Sequence, residues 1–284
     1  MTWNRLVAIR RVRLALPLFV AICITLLWAS PVKAGTVIMQ STCPVLIAQS
    51  GDYTLGTDVG PCLPAVDGID ILASGVTLHL QGHTITGTCG SSIGIHVLGT
   101  ALAPLTMVRI LGTGTVSTFY TGFQADNSGG SFVKFVTVAS QCPLGNGFYL
   151  TPTSSQWKLD GNVVQAPSTS YGIILDGGDH DLVRNNISDT ITVRSDNNVI
   201  VNNTASDNGA GIFVEGSNND IHANTTNNNS GGNGIWLFLG SGNNITGNTA
   251  QNNLPFDLDD DNPDCGTNTW EGNKFTTANQ PCIQ

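Results

Sequence analysis

The sequence predicts an all-β chain wound as a solenoid. Three observations predict it: short apolar runs recur at a nearly constant spacing, polar turns rich in Gly and Asn separate them, and an apolar residue with Asn three positions later marks each repeat. In the most regular stretch the Asn-to-Asn spacings are 17, 22, 24 and 25 residues. That period is about one winding of a β-solenoid.

The strand starts define the repeat length. They are predicted at Ile95, Phe123, Phe148, Ile173, Ile191, Ile212, Ile235 and Phe256. Their mean spacing of 23 residues accommodates three short strands and three turns, and no apolar period of 3.6 residues runs through the region. We therefore predict a single-stranded right-handed parallel β-helix of roughly eight to ten coils.

Alternation within each strand predicts which side chains enter the core. Ile212 and Val214 should point inward, while Phe213 and Glu215 point outward. The Asn of each signature should stack in a ladder that satisfies buried turns, and the Gly before a strand allows positive φ or close approach. The signature pairs are Leu182/Asn185, Val199/Asn202, Ile221/Asn224, Ile245/Asn248 and Trp270/Asn273.

The first 34 residues are predicted to be a secretory signal peptide. Four arginines precede the apolar run from Leu14 to Ala29, and small residues end the segment at Ala34. An uncleaved anchor is the alternative, although the run is shorter than the ~20 residues of a spanning helix. We predict an N-terminal cap and first coil over residues 35–88, and β-helix repeats with a disulfide-closed last coil over 89–284.

Charge limits the classes of partner. Without residues 1–34 the chain keeps all 20 acidic residues and 6 of its 11 basic ones, so its net charge becomes −14. Nucleic acid and anionic membranes are therefore poor partners. A neutral glycan or a calcium ion suits such a surface better, and we expect no membrane span after cleavage.

The cysteines predict disulfides. Seven Cys become six when Cys23 leaves with the leader, and an even number in a secreted chain favours pairing. Local pairing gives Cys43–Cys62 and Cys265–Cys282, which leaves Cys89–Cys142 to join two turns on one edge of the solenoid. No Cys-x-x-Cys spacing supports a zinc or copper site instead.

The stretch from Gly75 to Gly87, reading GVTLHLQGHTITG, together with the Gly-Ile strand starts and the Ile-x-x-Asn signatures, resembles the NosD-like right-handed β-helix proteins of the pectate-lyase-type solenoid group. The resemblance implies the fold across nearly the whole mature chain. It does not fix an activity, because such families include carbohydrate lyases, hydrolases, epimerases, surface proteins and a protein implicated in copper delivery. With only Met39 and Met107 as spare sulfur ligands, a copper role is poorly supported.

The resemblance also implies that the outer face of the Gly-Ile strand binds glycans. The predicted register gives that face two columns of side chains. The first runs His96, Gln124, Tyr149, Ile174, Thr192, Phe213, Trp236 and Asp257; the second runs Leu98, Asp126, Thr151, Asp176, Arg194, Glu215, Phe238 and Asp259.

Three consecutive members of the second column are candidate catalytic residues: Asp176, Arg194 and Glu215. At ~4.8 Å per rung the two carboxylates would lie roughly 9.6 Å apart with the guanidinium between them. That separation is near the upper end for an inverting glycosidase and also suits a uronate lyase. The alternative is an acid-base-acid ladder that only separates like charges.

Aromatic residues on this face predict sugar binding. Tyr149, Phe213, Trp236 and Phe238 can stack on the apolar faces of sugar rings. The alternative is that a long loop or a second subunit covers them.

Two further groups are weaker candidates. Asp257, Asp259 and Asp261 lie in the densest acidic cluster and can hold calcium, although a solvated terminal coil explains them as well. Asp179-His180-Asp181 resembles a motif of alginate epimerases but lacks its Pro, which favours a turn. The sequence offers no obvious partner for His79, His83, His96 or His222, which we expect at the surface or in turns.

Two classes of function follow. The first is a secreted or periplasmic protein that binds or processes a polysaccharide or cell-surface glycan as a lyase, hydrolase or epimerase. The second is a non-catalytic structural or surface-interaction solenoid. Short turns after Gly172 leave few loops for a deep cleft, which favours binding over catalysis.

Overall fold

The computed structural model describes residues 35–90, 92–139, 142–165 and 171–284, and these residues form 29 short strands and one 3-10 turn, Pro263–Cys265. The predicted signal peptide lies outside the described residues. None of the helical segments within the described ranges has the length and apolar character needed to cross a membrane.

The strands are β1 (Thr36–Ile38), β2 (Val45–Ile47), β3 (Gly51–Leu55), β4 (Ile69–Ile71), β5 (Val76–His79), β6 (Thr84–Thr86), β7 (Ile93–Leu98), β8 (Leu105–Thr106), β9 (Arg109–Leu111) and β10 (Thr115–Ser117). They continue with β11 (Thr121–Asp126), β12 (Ser128–Gly129), β13 (Phe132–Lys134), β14 (Thr137–Ala139), β15 (Asn146–Leu150), β16 (Lys158–Asp160), β17 (Val163–Val164), β18 (Tyr171–Leu175), β19 (Leu182–Arg184) and β20 (Ile191–Val193). The last are β21 (Val199–Val201), β22 (Ile212–Val214), β23 (Asp220–His222), β24 (Thr225–Asn227), β25 (Ile235–Leu237), β26 (Asn244–Thr246), β27 (Thr249–Gln251), β28 (Leu258–Asp260) and β29 (Thr269–Glu271).

The strands form two long parallel sheets, to which successive turns of the chain add one strand each, and a shorter third parallel sheet. Sheet A has eleven strands, in the order β1, β3, β5, β9, β13, β16, β19, β21, β23, β26, β29. Sheet B has ten, in the order β2, β4, β7, β11, β15, β18, β20, β22, β25, β28. Sheet C contains β6, β10, β14 and β17, and β8–β12 and β24–β27 are short additional pairs.

This arrangement is a right-handed parallel β-helix. The ten rungs of sheet B span nine complete turns, within the predicted range, and the right hand is the one that parallel crossover connections favour. The predicted fold class is therefore confirmed. Strands β1 to β6, from the predicted cap and first coil, already pair in sheets A, B and C, while the predicted domain boundaries stay predictions.

The core is built by the inward members of each strand. Ile212 and Val214 are buried, as predicted, while Phe213 between them is only partly buried and faces outward. The glycine before a strand is required by close approach: a Cβ on Gly211 would collide with the carbonyl oxygen of Gly234 on the next rung. Seven of the eight predicted strand starts share one register in sheet B.

The last predicted start, Phe256, is wrong by two residues. Leu258, not Phe256, pairs with Ile235 and enters the core. The reason is the turn before it: the Asp257 carboxylate accepts hydrogen bonds from the backbone N–H and side-chain amide of Asn253, at 2.9 and 3.0 Å. Strand β28 begins only after this hydrogen-bonded turn, so it starts at Leu258 rather than at Phe256.

Three ladders of mostly buried side chains satisfy the turns in the described part of the chain. In each, the Oδ1 of one residue accepts from the backbone N–H of its counterpart on the preceding rung, and in most rungs from that residue's side-chain amide too. The exception is the end of ladder 3, where Asp257 accepts from Asn253 of the same turn. Ladder 1 runs Asn162, Asn186, Asn203, Asn224, Asn248, Asn273. Ladder 2 runs Asp181, Asn198, Asn219, Asn243, Asn268. Ladder 3 runs Asn208, Asn229, Asn253, Asp257.

Two of the predicted ladder members are wrong by one residue. Asn185 and Asn202 have positive φ, 56° and 58°, and bond to each other outside the core. Their neighbours Asn186 and Asn203, each 1 % exposed, occupy the ladder. Each of these two turns carries two successive Asn. One adopts the left-handed region of φ and ψ and the other joins the ladder, so residue type alone does not distinguish the two positions.

All three predicted disulfides are present. The Cα atoms are 5.4 Å apart in Cys43–Cys62, 5.3 Å in Cys89–Cys142 and 6.1 Å in Cys265–Cys282. Cys89 follows β6 and Cys142 follows β14, which are two rungs apart in sheet C. Disulfides at this density are typical of chains in an oxidising compartment, which supports a location outside the cytoplasm.

We predict that Asn224→Ala destabilises the fold by about 3 kcal/mol, because it leaves the amide of Asn203 and the carbonyl of Ile200 buried without partners. Denaturant unfolding measures the change. The matched control is Asn202→Gly at the neighbouring exposed position with positive φ, which should change stability by less than about 0.5 kcal/mol. A larger loss in the control would contradict the ladder assignment.

Asp181 gives the fold a pH dependence. It stands at the N-terminal end of ladder 2, where Oδ1 accepts the backbone N–H of Trp157 at 2.7 Å and Oδ2 is buried with no hydrogen-bond partner within the described ranges. Burial raises the pKa of this carboxyl from 3.8 to about 8. Since the folded pKa exceeds the unfolded one, its contribution to stability is complete below about pH 4 and is lost as pH rises towards 8.

We therefore expect Asp181→Asn to be more stable than the parent chain at pH 8 and to lose this advantage towards pH 4. The slope cannot exceed about 1.4 kcal/mol per pH unit. Melting temperatures across this range measure it, with the exposed Asp52→Asn as control. Parallel profiles for Asp181→Asn and the parent would show that the carboxyl ionises normally.

Candidate functional site

The outer face of sheet B presents two adjacent columns of side chains. Column 1 consists of Leu46, Asp70, His96, Gln124, Tyr149, Ile174, Thr192, Phe213, Trp236 and Asp259. Column 2 is formed by the second residue after each of these; from rung three its members are Leu98, Asp126, Thr151, Asp176, Arg194, Glu215, Phe238 and Asp261. The predicted columns differ only at the last rung, where the two-residue shift places Asp259 in column 1 and Asp261 in column 2.

The structure brings Asp176, Arg194 and Glu215 together. Arg194 Nε donates to Glu215 Oε2 at 3.0 Å, and its Nη1 lies 3.6 Å from Asp176 Oδ1. The side chains keep roughly a third of their surface in solvent, so the pairs are partly screened. The three residues form an ion ladder along column 2.

Tyr149 extends this ladder by one rung. Its hydroxyl donates to Asp176 Oδ2 at 2.8 Å. Burial and the neighbouring Asp176 carboxylate raise the pKa of the phenol to about 12. Tyr149 is therefore a neutral hydrogen-bond donor at physiological pH, and it fixes the carboxylate from the side opposite Arg194.

The ladder is better arranged for binding than for proton transfer. Both carboxylates are engaged by Arg194, and Asp176 also accepts from Tyr149. Either carboxylate would have to leave a partner before it could act as a general acid or base. Together the four side chains present donors and acceptors in a row, which suits the hydroxyl groups of a bound sugar.

Phe213, Trp236 and Phe238 form a compact aromatic cluster next to the ladder. Ring centroids are 4.9 Å apart for Phe213–Trp236, 5.4 Å for Trp236–Phe238 and 6.0 Å for Phe213–Phe238. Trp236 Nε1 donates to Asp261 Oδ2 at 3.0 Å, which fixes the indole, and Phe238 is 38 % exposed. The three predicted aromatic residues thus form one rigid surface, while Tyr149 belongs to the ladder.

His96 organises the N-terminal end of the same face. Its Nε2 lies 2.6 Å from Asp126 Oδ2, and its Nδ1 lies 3.2 Å from Asp67 Oδ2. Burial lowers the pKa of His96, but the hydrogen bonds and charges of Asp126 and Asp67 outweigh burial and raise it to about 9. The expectation that His96 lacks a partner is therefore wrong.

The signal that sequence reasoning missed lies in the register. Asp126 belongs to column 2 one rung beyond His96 in column 1, and Asp70 pairs with His96 from the preceding rung. Considering each His alone hides neighbours that are about 30 residues away in sequence. His83 and His222 also have acidic neighbours, Asp58 at 3.1 Å and Asp220 at 3.2 Å.

The predicted calcium ligands accept hydrogen bonds from other groups of the protein. Hydrogen bonds from the backbones of Asn253, Thr276 and Thr277 lower the pKa of Asp257 despite burial. Asp259 accepts from Asn233 across the face, and Asp261 holds Trp236.

In the part of the chain that the structure describes, these carboxylates do not form a metal-binding group. The group of three or more possible ligands found there is Asp67, Asp70 and His96. The solenoid register points the carboxylates of Asp257, Asp259 and Asp261 at different partners, and the calcium site there stays a prediction.

A cationic cluster lies on the outer face of sheet A. Lys134, Lys158 and Arg184 approach Asp160 at 3.7, 4.0 and 2.8 Å. Burial raises the pKa of Asp160, but the hydrogen bonds from Arg184 and Asn185 and the charges of Arg184 and Lys134 outweigh burial and lower it. The cluster compensates a 5 % exposed carboxylate, which accounts for its position.

A family model described as a right handed beta helix region matches residues 146–284. No curated protein matches the sequence.

Two solved structures align with parts of this chain. The crystal structure of the Dettilon tailspike protein (gp208) aligns with a TM-score of 0.44 and 16 % identity, covering 76 % of this chain and 47 % of the tailspike. A mutant of the periplasmic alginate epimerase AlgG aligns with a TM-score of 0.27 and 12 % identity, covering 82 % of this chain and 74 % of the epimerase. This chain therefore spans about half the length of the tailspike.

Proposed function

We propose that the outer face of sheet B binds an extracellular polysaccharide. The aromatic cluster of Phe213, Trp236 and Phe238 carries this proposal, because its rings are partly exposed, mutually packed and held by Asp261. Aromatic rings with one apolar face in solvent suit stacking on sugar rings. The ladder beside it supplies polar contacts.

The size of the face favours a polymer over a single sugar. From Tyr149 to Asp261 it covers six rungs of sheet B, or about 24 Å at ~4.8 Å per rung. Contacts repeated along a straight column match a linear chain of repeating units. The glycan would lie along the solenoid axis, with its rings over the aromatic cluster and its hydroxyl groups at the ladder.

The charge of the face favours a neutral glycan. Asp176 and Glu215 outnumber Arg194, and Asp259 and Asp261 add negative charge beyond the aromatic cluster. An acidic polysaccharide would have to compete with both carboxylates for Arg194. A neutral glycan replaces bound water with hydrogen bonds to the face and buries no charge of its own, so its desolvation costs less free energy.

Processing of the bound glycan is a second candidate, favoured by one observation. Two carboxylates flank Arg194 on adjacent rungs, and Tyr149 presents a hydroxyl to one of them. Asp176, Arg194 and Glu215 would then act as catalytic residues of a hydrolase on a neutral glycan, whereas a lyase or an epimerase would require a uronate-containing glycan instead. Binding is proposed first because the carboxylates are paired.

The finer resemblance to NosD-like proteins supports the β-helix but not copper delivery. The six cysteines after residue 34 are all in disulfides, and Met39 and Met107 are the sulfur ligands that remain. Soft metals prefer several such ligands. A non-catalytic structural solenoid is the reading that stands if glycan binding fails.

We expect Trp236→Ala to weaken glycan binding at least tenfold, because it removes the central ring of the cluster. A glycan array identifies the ligand, and titration calorimetry measures the affinities. The matched control is Phe135→Ala, which removes a 53 % exposed ring on another face and should bind like the parent. Equal binding by Trp236→Ala, or no ligand on the array, would contradict the proposal.

Catalysis is tested by Arg194→Gln, Asp176→Asn and Glu215→Gln in absorbance and reducing-sugar assays with the ligand found on the array. A catalytic role predicts at least a hundredfold loss of turnover with binding preserved within about tenfold. A ladder used only for binding predicts no turnover in the parent chain. That result would remove the catalytic assignment while leaving the binding proposal intact.

A further inference from the structure

The N-terminal end of the sheet B face holds a mixed set of nitrogen and oxygen ligands. Asp70 and His96 are register partners on adjacent rungs, and Asp67 lies two residues before β4. One ligand atom from each of the three lies within 4.8 Å of the others. Atoms this close can share one ion.

The imidazole of His96 is oriented from outside this set. Its Nε2 bonds to Asp126 Oδ2 at 2.6 Å, and Asp126 is itself held by the Gln124 amide at 2.8 Å. Metal-binding histidines usually donate their second ring N–H to a carboxylate in this way, which fixes the tautomer and the ring. The arrangement directs Nδ1 towards Asp67, the side on which Asp70 lies.

The Asp70 carboxylate gives a second, independent indication of a cation site. Its Oδ1 is buried and accepts no hydrogen bond from an N–H or hydroxyl group within the described ranges, and the side chain beside it is the carboxylate of Asp67. A buried carboxylate oxygen without a donor is costly. A cation shared between the two carboxylates would satisfy it.

We propose that Asp67, Asp70 and His96 bind one divalent cation of the zinc class. One imidazole nitrogen and two carboxylate oxygens form a three-ligand set that Zn²⁺ accepts, with water in a fourth position. Calcium prefers six to eight oxygen ligands and fits this set poorly. Any proton on Nδ1 passes to solvent when the metal binds, and no redox step is involved.

The cation site is separate from the proposed glycan surface. His96 lies two rungs before Tyr149 in column 1, or about 10 Å along the axis. The inference does not rest on glycan binding, and the metal titration contains no glycan. Failure of one proposal therefore leaves the other untouched.

The test is calorimetric titration of the purified secreted chain, stripped with a chelator, with ZnCl₂. We expect one equivalent to bind and to raise the melting temperature. Asp70→Asn, which is nearly isosteric, and His96→Gln should each weaken zinc binding at least tenfold. Asp126→Asn should weaken it ten- to a hundredfold through the orientation of His96.

The matched control is His83→Gln. His83 pairs with the single carboxylate of Asp58 at 3.1 Å, so this variant loses one histidine without touching the proposed site and should bind zinc like the parent. Circular dichroism confirms that each variant is folded. Absence of a stoichiometric site, unchanged affinity in folded Asp70→Asn and His96→Gln, or tighter binding of CaCl₂ than of ZnCl₂ would each overturn the proposal.

Discussion

The stacking of one turn of chain on the next is the constraint on which the structure depends. Parallel rungs ~4.8 Å apart satisfy the strands, but the turns at the corners would leave backbone N–H groups buried without partners. Three side-chain ladders remove this cost. Asn203 shows the arrangement. Its backbone N–H donates to the Oδ1 of Asn224, and its side-chain amide donates to the same Oδ1 and to the carbonyl oxygen of Val183.

Each ladder residue is hydrogen-bonded to its neighbours in the ladder. A residue at the end of a ladder lacks one of these neighbours and needs a different hydrogen-bond partner. Ladder 3 ends at Asp257, whose carboxylate accepts N–H groups from Asn253, Thr276 and Thr277. Asp181 occupies the N-terminal end of ladder 2, where it lacks the amide that an Asn would provide. The acidic residues at these positions are thus parts of the fold, since their carboxylates accept the hydrogen bonds that end the ladders.

Most of the fold could be predicted from the sequence, but less of the candidate site could be. Apolar strand starts predict the core because an inward position tolerates few alternatives, and local cysteine pairs predict the disulfides. The errors occur where one letter serves two positions: Asn185 and Asn186 are the same residue type, but only Asn186 enters the ladder. The strand start predicted at Phe256 is wrong because the turn before the strand includes Asn253 and Asp257, the last two members of ladder 3.

The site was harder to predict because outward side chains are defined by neighbours about one turn away. The triad of Asp176, Arg194 and Glu215 could be found, since those residues follow three well-marked strands. His96 could not be interpreted alone, because its partners Asp67 and Asp126 lie 29 and 30 residues away. A correct register turns such separations into contacts, and the single shift at Leu258 moves Asp259 and Asp261 into different columns.

The same geometry divides the sheet B face into units of different chemistry. An outward side chain reaches only the rungs beside it, so three neighbouring rungs are enough to define a group of contacts. His96 collects carboxylates at one end, Arg194 links two in the middle, and Trp236 packs between Phe213 and Phe238 at the other. The inward residues of sheet B beneath them are apolar along this whole length, from Ile95 to Leu237. Differences in binding along the face therefore arise from the outward residues, which can change without disturbing the solenoid that positions them.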